Sequence, residues 1–263
     1  MAGTLPAVAP SGPLTIPQHH TRGARVDRGS TPAVLWLIEH MCAHVGIPDL
    51  ADVDVLDMGC GVKFTTTILN EDVPVKRYVG VDVFKEMIEF LQANVDDPRF
   101  EFHHVDLRNE RYNPDGAPLS SVAALPLADG SFDLICLFSV FTHLAPDDYR
   151  EMLRVLRPLV RPDGKLFFSL YIDEVTPDGY GYIDSVVRML DARPDLLDSD
   201  AVTVPTEPVP FRDVDPDEPL RIALYSEEHA RELIEGTGWR VVELVRPGPH
   251  IQHSFVCAPV PPR

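Results

Sequence analysis

The sequence is short of positive charge. Its 263 residues include 23 lysines and arginines against 41 aspartates and glutamates, which gives a formal net charge of −18 at pH 7. A nucleic-acid-binding protein approaches a polyanion and normally presents a basic surface. Basic residues do recur at Arg150, Arg154, Arg157 and Arg161, but this spacing is typical of a solvated helix face. We therefore expect no nucleic-acid partner.

Long apolar runs are also missing. No run approaches the roughly 20 residues that a membrane-spanning helix needs. The N-terminus shows no charged segment followed by an apolar one, which is the pattern of a secretory signal. We therefore expect a cytoplasmic protein without a membrane span, and a chain of this length can bury one sizeable core.

Paired cysteines are the third absence. The four cysteines, Cys42, Cys60, Cys136 and Cys257, are scattered and form no Cys-x-x-Cys pair of the kind that binds zinc or performs redox chemistry. Three of them lie in apolar runs and are expected to be buried thiols. The acidic pair Asp147 and Asp148 opens a predicted helix, where negative charge suits the helix dipole. We expect no metal site.

A short glycine-rich turn is the most informative feature that is present. Val53, Val55 and Leu56 predict a buried strand, and Gly59 and Gly61 follow it where a helix should begin. Glycine permits positive φ and a close approach of a ligand to the backbone. The first N–H groups of the following helix would point at that ligand.

Two further strand-like runs end in carboxylates. Residues 78–81 are followed by Asp82, and residues 100–105 are followed by Asp106. The carboxyl ends of parallel strands form a ligand crevice, and a carboxylate at a strand tip can accept hydrogen bonds from both hydroxyls of a ribose. We expect Asp82 to do so.

The turn favours one nucleotide ligand over another. A dinucleotide fold needs a third glycine for close helix packing, and the bulky Phe64 stands at that position. Asp57, directly before the turn, would repel a diphosphate but suits the ammonium group of an amino acid. A dinucleotide-dependent dehydrogenase is therefore disfavoured, and the pattern indicates S-adenosylmethionine.

The sequence resembles the class I S-adenosylmethionine-dependent methyltransferases from about Val53 to Leu170, and again from Tyr225 to Cys257. The motifs that carry this resemblance occur in the family's order: Val-Leu-Asp-Met-Gly-Cys-Gly at 55–61, Val-Gly-Val-Asp at 79–82, His-Val-Asp at 104–106, Leu-Pro-Leu-Ala-Asp-Gly-Ser-Phe-Asp at 125–133 and Arg-Val-Leu-Arg-Pro-Leu-Val-Arg-Pro-Asp-Gly-Lys-Leu at 154–166. The resemblance implies an α/β fold. This fold has a Rossmann-like, seven-stranded, mostly parallel sheet with helices on both faces, an antiparallel last strand and a lid insertion.

The resemblance also implies a set of cofactor-binding residues. They contact the methionine moiety (Asp57, Gly59, Gly61), the ribose (Asp82) and the adenine (Val83, Asp106, Leu107), with Phe138 completing the set. The product would be S-adenosylhomocysteine. Lys63 and Phe64 depart from the family pattern, in which small residues are common, so the helix after the turn could begin differently.

The chain is expected to consist of an arm and one domain that contains an insertion. Residues 1–25, rich in proline and glycine, predict a flexible arm, and residues 26–263 the methyltransferase domain. Within that domain, about 172–222 forms an acidic, proline-rich insertion, which is either a lid over the cofactor's methyl group or a solvated excursion. Tyr180 and Tyr182 within it are candidate acceptor contacts, because a tyrosine ring can stack on a sugar and still hydrogen-bond it.

His143 is the candidate catalytic base. It follows the predicted fourth strand, and an imidazole titrates near neutral pH. A purely structural histidine at the start of a helix is the competing interpretation. The leading hypothesis is methyl transfer to a hydroxyl of a small molecule, most like bacterial enzymes that act on sugars or glycosides. A polyketide, lipid or phenolic acceptor remains open, as do a non-catalytic cofactor-binding protein and a monomer or homodimer.

Overall fold

The computed structural model describes residues 13–20, 31–109, 112–174, 209–214, 219–247 and 252–261. These residues fall into two compact units, Met1–Val105 and Asp106–Arg263. Each unit combines strands with helices and has its own set of buried apolar side chains.

Unit 1 has a parallel sheet. Its strands are β1 (Leu50–Met58), β2 (Val75–Asp82) and β3 (Phe100–His104), and they lie in the order β3-β2-β1. Its helices are α1 (Thr31–Val45), α2 (Lys63–Asn70) and α3 (Lys85–Asn94). Because parallel neighbours need a crossover connection, a helix follows each of the first two strands.

The helices of unit 1 bury the faces that their apolar spacing predicts. On α1, Val34, Ile38 and Met41 are buried, and the helix begins at Thr31 with a proline in its first turn. On α3, Met87, Ile88 and Leu91 are buried in the same way. Residues spaced by three and four positions share one helix face, so burial of that face stabilises both the helix and its position on the sheet.

Residues 13–20 are held against α2 and α3. The Leu14 N–H donates to Asn70 Oδ1 at 2.7 Å, and Asn70 Nδ2 donates to the Leu14 carbonyl at 3.0 Å. The rings of His20 and Phe90 lie 4.8 Å apart. This part of the chain therefore has defined contacts, whereas the sequence predicts a flexible arm over residues 1–25. Residues 1–12 and 21–25 of that arm lie outside the described residues.

Unit 2 contains the remaining regular elements. Its strands and helices are β4 (Phe132–Leu137), α4 (Pro146–Leu156), β5 (Val160–Ile172), β6 (Phe211–Asp213), β7 (Ala223–Tyr225), α5 (Glu227–Ile234), β8 (Trp239–Val245) and β9 (His253–Pro259).

Strand β5 is the centre of unit 2. It pairs in parallel with β4 and β7 and antiparallel with β9. Strand β8 pairs antiparallel with β9, and β6 pairs antiparallel with β7. The antiparallel last strand that the resemblance implies is therefore β9.

Aromatic side chains form the core of unit 2. The ring of Phe141 lies 4.2 Å from that of Phe168 and 4.6 Å from that of Tyr149, and all three residues are fully buried. Aromatic rings bury large apolar areas, and offset or edge-to-face contacts add to this stabilisation. Helix α5 begins after Ser226, whose side chain accepts a hydrogen bond from the His229 N–H and so caps the helix.

The predicted fold class is confirmed as a Rossmann-like α/β fold with mostly parallel strands and an antiparallel last strand. The described residues contain nine strands rather than seven, because the short β6 occurs within the predicted insertion and the short β7 directly follows it. Residues 175–208 and 215–218 of that insertion lie outside the described residues. In the part of the chain that the structure describes, no helix is long and apolar enough to cross a membrane.

Candidate functional site

The glycine turn of unit 1 lies between β1 and α2. Gly59 has φ of 75° and Gly61 has φ of 50°, so both occupy the left-handed region that favours glycine. The N–H groups of Gly59 and Cys60 donate to the Val81 carbonyl at 2.7 and 3.1 Å, which fixes the turn against β2. No side chain caps the start of α2 at Val62. The backbone N–H groups of its first turn are therefore suited to binding a ligand.

Asp82 ends β2 and is bonded to the glycine turn. Its Oδ2 accepts the Gly61 N–H at 3.0 Å, and its Oδ1 accepts the Phe84 N–H at 2.9 Å. These two bonds orient the half-buried carboxylate, and each carboxylate oxygen can accept more than one hydrogen bond. The geometry suits recognition of a ribose diol, and the half-buried Val83 follows it in the chain. The ribose and adenine contacts of these two residues stay predictions.

Asp57 lies at the end of β1 and is almost fully buried, with 2% of its surface exposed. The Tyr78 hydroxyl donates a hydrogen bond of 2.5 Å to its Oδ2. Sequence reasoning placed Tyr78 in a strand but missed this contact. The contact depends on how β1 pairs with β2. Their register places Tyr78 beside Val55 and Gly80 beside Asp57, and the sequence alone does not give that register.

Gly80 allows β2 to lie close to the turn. A Cβ atom at this position would lie 2.9 Å from Cys60 Sγ and 2.9 Å from a ring carbon of Phe102. Both distances are shorter than real Cβ contacts, so a side chain would displace one of these neighbours. The glycine inside this strand thus has a packing role next to the candidate ligand site.

In unit 2, Asp106 and Leu107 begin a tight loop. Asn113 Nδ2 donates to Asp106 Oδ1 at 2.9 Å and to the Leu107 carbonyl at 3.0 Å, and the Ala117 N–H donates to the Asp106 carbonyl at 3.0 Å. Gly116 is packed so closely that a Cβ would lie 2.6 Å from the Leu107 carbonyl carbon. The loop backbone is therefore fixed, and Asn113 orients the exposed Asp106 carboxylate through one hydrogen bond. The adenine contacts of Asp106 and Leu107 stay predictions.

Phe138 follows β4 and its ring lies 5.5 Å from that of Phe167. The next residue, Ser139, has φ of 58°, and its N–H donates to Ser169 Oγ at 2.8 Å. Gln252 Oε1 accepts from Ser169 Oγ at 2.6 Å, and Gln252 Nε2 donates to Ser139 Oγ at 2.9 Å. A polar network that connects the exposed Ser139 to the buried Ser169 and Gln252 therefore sets the path of the chain directly after Phe138.

His143 ends the short 3₁₀ helix Phe141–His143 and is half-buried. Its Nδ1 lies 3.0 Å from the Leu220 carbonyl oxygen, and the Tyr112 ring meets it edge-on with centroids 5.8 Å apart. A carbonyl oxygen can only accept, so Nδ1 carries the proton in this contact. The neutral ring then has its lone pair on Nε2, which is the form that a general base requires.

His253, a further described histidine of unit 2, has a different environment from His143. His253 is fully buried, its Nδ1 accepts the Ile172 N–H at 3.4 Å, and its Nε2 lies 3.0 Å from Glu174 Oε1. Burial lowers the pKa of His253, although the Glu174 carboxylate opposes that shift. Its ring is held on both sides inside the protein, so a structural role fits it better than a catalytic one.

Two predictions remain, the acceptor contacts of Tyr180 and Tyr182 and the absence of a metal site. Tyr180 and Tyr182 lie outside the described residues. Among the residues that are described, no group of three or more histidine, cysteine, aspartate or glutamate side chains could hold a metal ion. The expectation that the protein needs no metal stays a prediction.

Comparison with known proteins gives one family for the centre of the chain. Residues 56–168 match the family model described as a methyltransferase domain. The chain is 33% identical over 141 residues to an arsenite methyltransferase of Aquipseudomonas alcaligenes, covering 52% of this chain and 38% of the relative. It is 27% identical over 154 residues to a probable S-adenosylmethionine-dependent methyltransferase of Mycolicibacterium smegmatis, covering 56% of this chain and 52% of the relative. The chain thus spans about half or less of these relatives' lengths.

A solved structure shows the same fold. The 1,6-didemethyltoxoflavin-N1-methyltransferase of Burkholderia thailandensis, solved with 1,6-didemethyltoxoflavin and S-adenosylhomocysteine, superimposes with a TM-score of 0.51. Sequence identity is 18%, and the match covers 92% of this chain and 84% of the other. At this identity the likeness concerns the fold alone.

Proposed function

We propose that this chain, whose residues 56–168 match the methyltransferase-domain family model, is a class I S-adenosylmethionine-dependent methyltransferase that transfers a methyl group to a hydroxyl of a small molecule. A sugar or glycoside is the acceptor class that we favour. The observation that carries the proposal is the hydrogen bond of His143 Nδ1 to the Leu220 carbonyl at 3.0 Å, because it leaves the basic lone pair on Nε2.

The residues of unit 1 fit the cofactor. The uncapped start of α2 offers backbone donors for a carboxylate, the glycine turn admits close approach, and Asp82 is oriented to accept hydroxyl donors. S-adenosylmethionine, when bound, supplies a methyl group that is already activated by its sulfonium. The role proposed for unit 2 is an adenine contact by Asp106 and Leu107, with Phe138 completing the binding residues.

Hydroxyl acceptors require help from the protein. An aliphatic hydroxyl is scarcely ionised at neutral pH, so a base that removes its proton contributes about 10²- to 10⁴-fold in rate. Holding the hydroxyl near the methyl group in the correct direction contributes further. We assign the base to His143, because its ring is fixed by a carbonyl and a neighbouring aromatic ring.

The choice of acceptor class is supported by charge and composition. A net charge of −18 disfavours polyanionic acceptors and is compatible with a neutral, polar molecule such as a sugar. Tyr180 and Tyr182 are the proposed stacking residues. Polyketide, lipid and phenolic hydroxyls are the alternative acceptors that the test must include.

Arsenite is a second candidate acceptor because one relative is an arsenite methyltransferase. Arsenic(III) is a soft centre that prefers thiolate ligands. All four cysteines of this chain are buried, and burial raises the pKa of Cys42 to about 11 and of Cys257 to about 12. Buried thiols with raised pKa values are poor arsenic ligands, so the structure favours the hydroxyl acceptor.

The test is a transfer assay with methyl-labelled S-adenosylmethionine. Separate reactions contain a pool of sugars and glycosides, a phenolic pool, a lipid pool or arsenite, and mass spectrometry follows the gain of one methyl group. Label in a sugar hydroxyl supports the proposal, and label only in arsenite would contradict it.

Stabilisation against heat by S-adenosylhomocysteine but not by NAD is expected in parallel, since a ligand that binds only the folded state raises its stability. Stabilisation without transfer to any pool would identify a non-catalytic binding protein.

A further inference from the structure

We propose that the segment in which the predicted insertion ends and the chain returns to the sheet acts as a positioning device for His143. This return segment comprises the described residues 209–214 and 219–225, which include β6 and β7. Its Leu220 carbonyl selects the tautomer of His143, and its Asp213 carboxylate holds Leu220 in place. The catalytic consequence rests on the proposed function, whereas the selection of the tautomer does not.

The return segment forms hydrogen bonds with two successive residues, His143 and Leu144. The Leu220 carbonyl accepts from His143 Nδ1 at 3.0 Å, and the Tyr225 hydroxyl donates to the Leu144 carbonyl at 2.5 Å. Tyr225 is fully buried, and burial raises the pKa of its hydroxyl, so it stays protonated and available as a donor. The backbone and the ring at the end of the 3₁₀ helix are thus fixed by the same segment.

Leu220 has an unusual backbone conformation. Its φ is 56°, in the left-handed region that residues with a side chain rarely adopt. A residue remains in such a conformation only when its surroundings determine it, and such residues concentrate at functional sites. Here the unusual turn is accompanied by a carbonyl that accepts the imidazole proton.

Asp213 provides the constraint on that turn. Its Oδ2 accepts the Leu220 N–H at 2.8 Å, and the Val214 N–H donates to the Ile222 carbonyl at 3.0 Å. The pairing of β6 with β7 sets Asp213 opposite Ala223, and β7 in turn pairs with β5. The position of the carbonyl is therefore determined by the sheet of unit 2 rather than by a loose loop.

The physical effect is a choice between two neutral imidazole forms. A ring that donates from Nδ1 has its lone pair on Nε2, and the hydrogen bond also fixes the ring's rotation. Without the carbonyl, the other tautomer and other ring rotations become populated. Only a fraction of the molecules then has the lone pair on Nε2 in the required orientation. Partners that fix the tautomer of a metal-bound histidine are worth about 10- to 100-fold. We expect a loss of similar size here.

The first experiment measures the tautomer directly and needs no substrate. Nitrogen NMR of protein labelled at histidine distinguishes protonated Nδ1 from protonated Nε2, and the His143→Gln variant identifies the signal by its loss. The wild type should show a protonated Nδ1. Asp213→Ala should shift the signal towards the other tautomer, while Asp213→Asn should retain it, because the amide oxygen can still accept the Leu220 N–H.

Substitutions of Leu220 provide an independent pair of variants if Asp213→Ala folds poorly. Leu220→Gly keeps the backbone groups and accepts a positive φ, so the wild-type tautomer should persist. Leu220→Val introduces a β-branched residue for which positive φ is a strong outlier, so the tautomer signal should become mixed. Asp129→Ala, at an exposed position outside the segment, is the matched control and should change nothing.

Turnover gives the second measurement. Asp213→Ala and Leu220→Val should lower kcat about tenfold or more with little change in KM, and the Asn and Gly variants should restore it. A protonated Nε2 in the wild type, or an unchanged tautomer in both damaging variants, would refute the positioning role. If the tautomer responds as described but no acceptor is methylated, the positioning role stands and the proposed function fails.

Discussion

The Tyr78 hydroxyl donates a hydrogen bond of 2.5 Å to the buried carboxylate of Asp57. The two residues lie on neighbouring parallel strands, and Asp57 stands directly before the glycine turn. A buried carboxylate requires hydrogen-bond donors to offset the loss of hydration. This contact therefore stabilises unit 1 and also orients Asp57, the residue that we propose to bind the cofactor's ammonium group.

Removing this donor should destabilise the protein. Tyr78→Phe keeps the ring and deletes the hydroxyl, which should lower the free energy of unfolding by about 1–3 kcal/mol. Urea unfolding monitored by circular dichroism measures the loss. The double variant with Asp57→Asn provides the control, because the coupling energy between the two positions should be clearly above zero. Additive effects would show that the contact contributes little.

Asp82 should determine affinity for the cofactor. Asp82→Ala removes the acceptor of the Gly61 N–H and the proposed ribose ligand, so the Kd for S-adenosylhomocysteine should rise about tenfold or more. Isothermal titration calorimetry measures the change. Asp52→Ala, at an exposed position on β1, is the matched control and should bind normally. Unchanged binding in both variants would exclude Asp82 from the site.

Gly80 should not tolerate a side chain. Gly80→Ala would bring a Cβ within 2.9 Å of Cys60 Sγ and of the Phe102 ring, and such overpacking typically costs about 1–3 kcal/mol. Because Cys60 belongs to the glycine turn, cofactor affinity should fall as well. Gly46→Ala is a useful comparison, because Gly46 has φ of 82° but open space around it. It should lower stability through backbone strain and leave cofactor affinity unchanged.

His143→Gln should separate binding from chemistry. Loss of a general base lowers kcat by about 10²- to 10⁴-fold, whereas the Kd for S-adenosylhomocysteine should stay near the wild-type value. Steady-state kinetics with the identified acceptor and a binding titration provide the two measurements. Turnover equal to that of the wild type would remove His143 from the mechanism and leave it as a structural residue.

Stability should fall on mild acidification because of His253. Burial lowers its pKa in the folded state, so below the ordinary value of 6.5 the unfolded chain binds a proton that the folded protein does not. The free energy of unfolding should therefore decrease as pH falls from about 7.5 to about 5.5. His253→Gln should reduce this slope and leave the slope above about pH 7.5 unchanged. An identical pH dependence in the variant would contradict the assignment.

Local patterns of the sequence were enough to predict many of the elements. The strand before the glycine turn and the two strands that lead to Asp82 and Asp106 all occur where they are predicted. These features depend on periodicity and on single-residue backbone preferences, which act over a few positions. The strands β6 and β7 were not predicted, because three residues carry too little pattern to be recognised.

The sequence by itself determined the Rossmann-like class and the candidate positions of Asp57, Asp82 and His143, because glycines and carboxylates at strand ends form a local, ordered pattern. Only the tertiary structure decided which partners they have. Tyr78 reaches Asp57 through the register of two strands, and Leu220 reaches His143 through a turn 77 residues away in the chain. A hydrogen bond depends on distance and direction in space, and these are set by packing rather than by the order of residues.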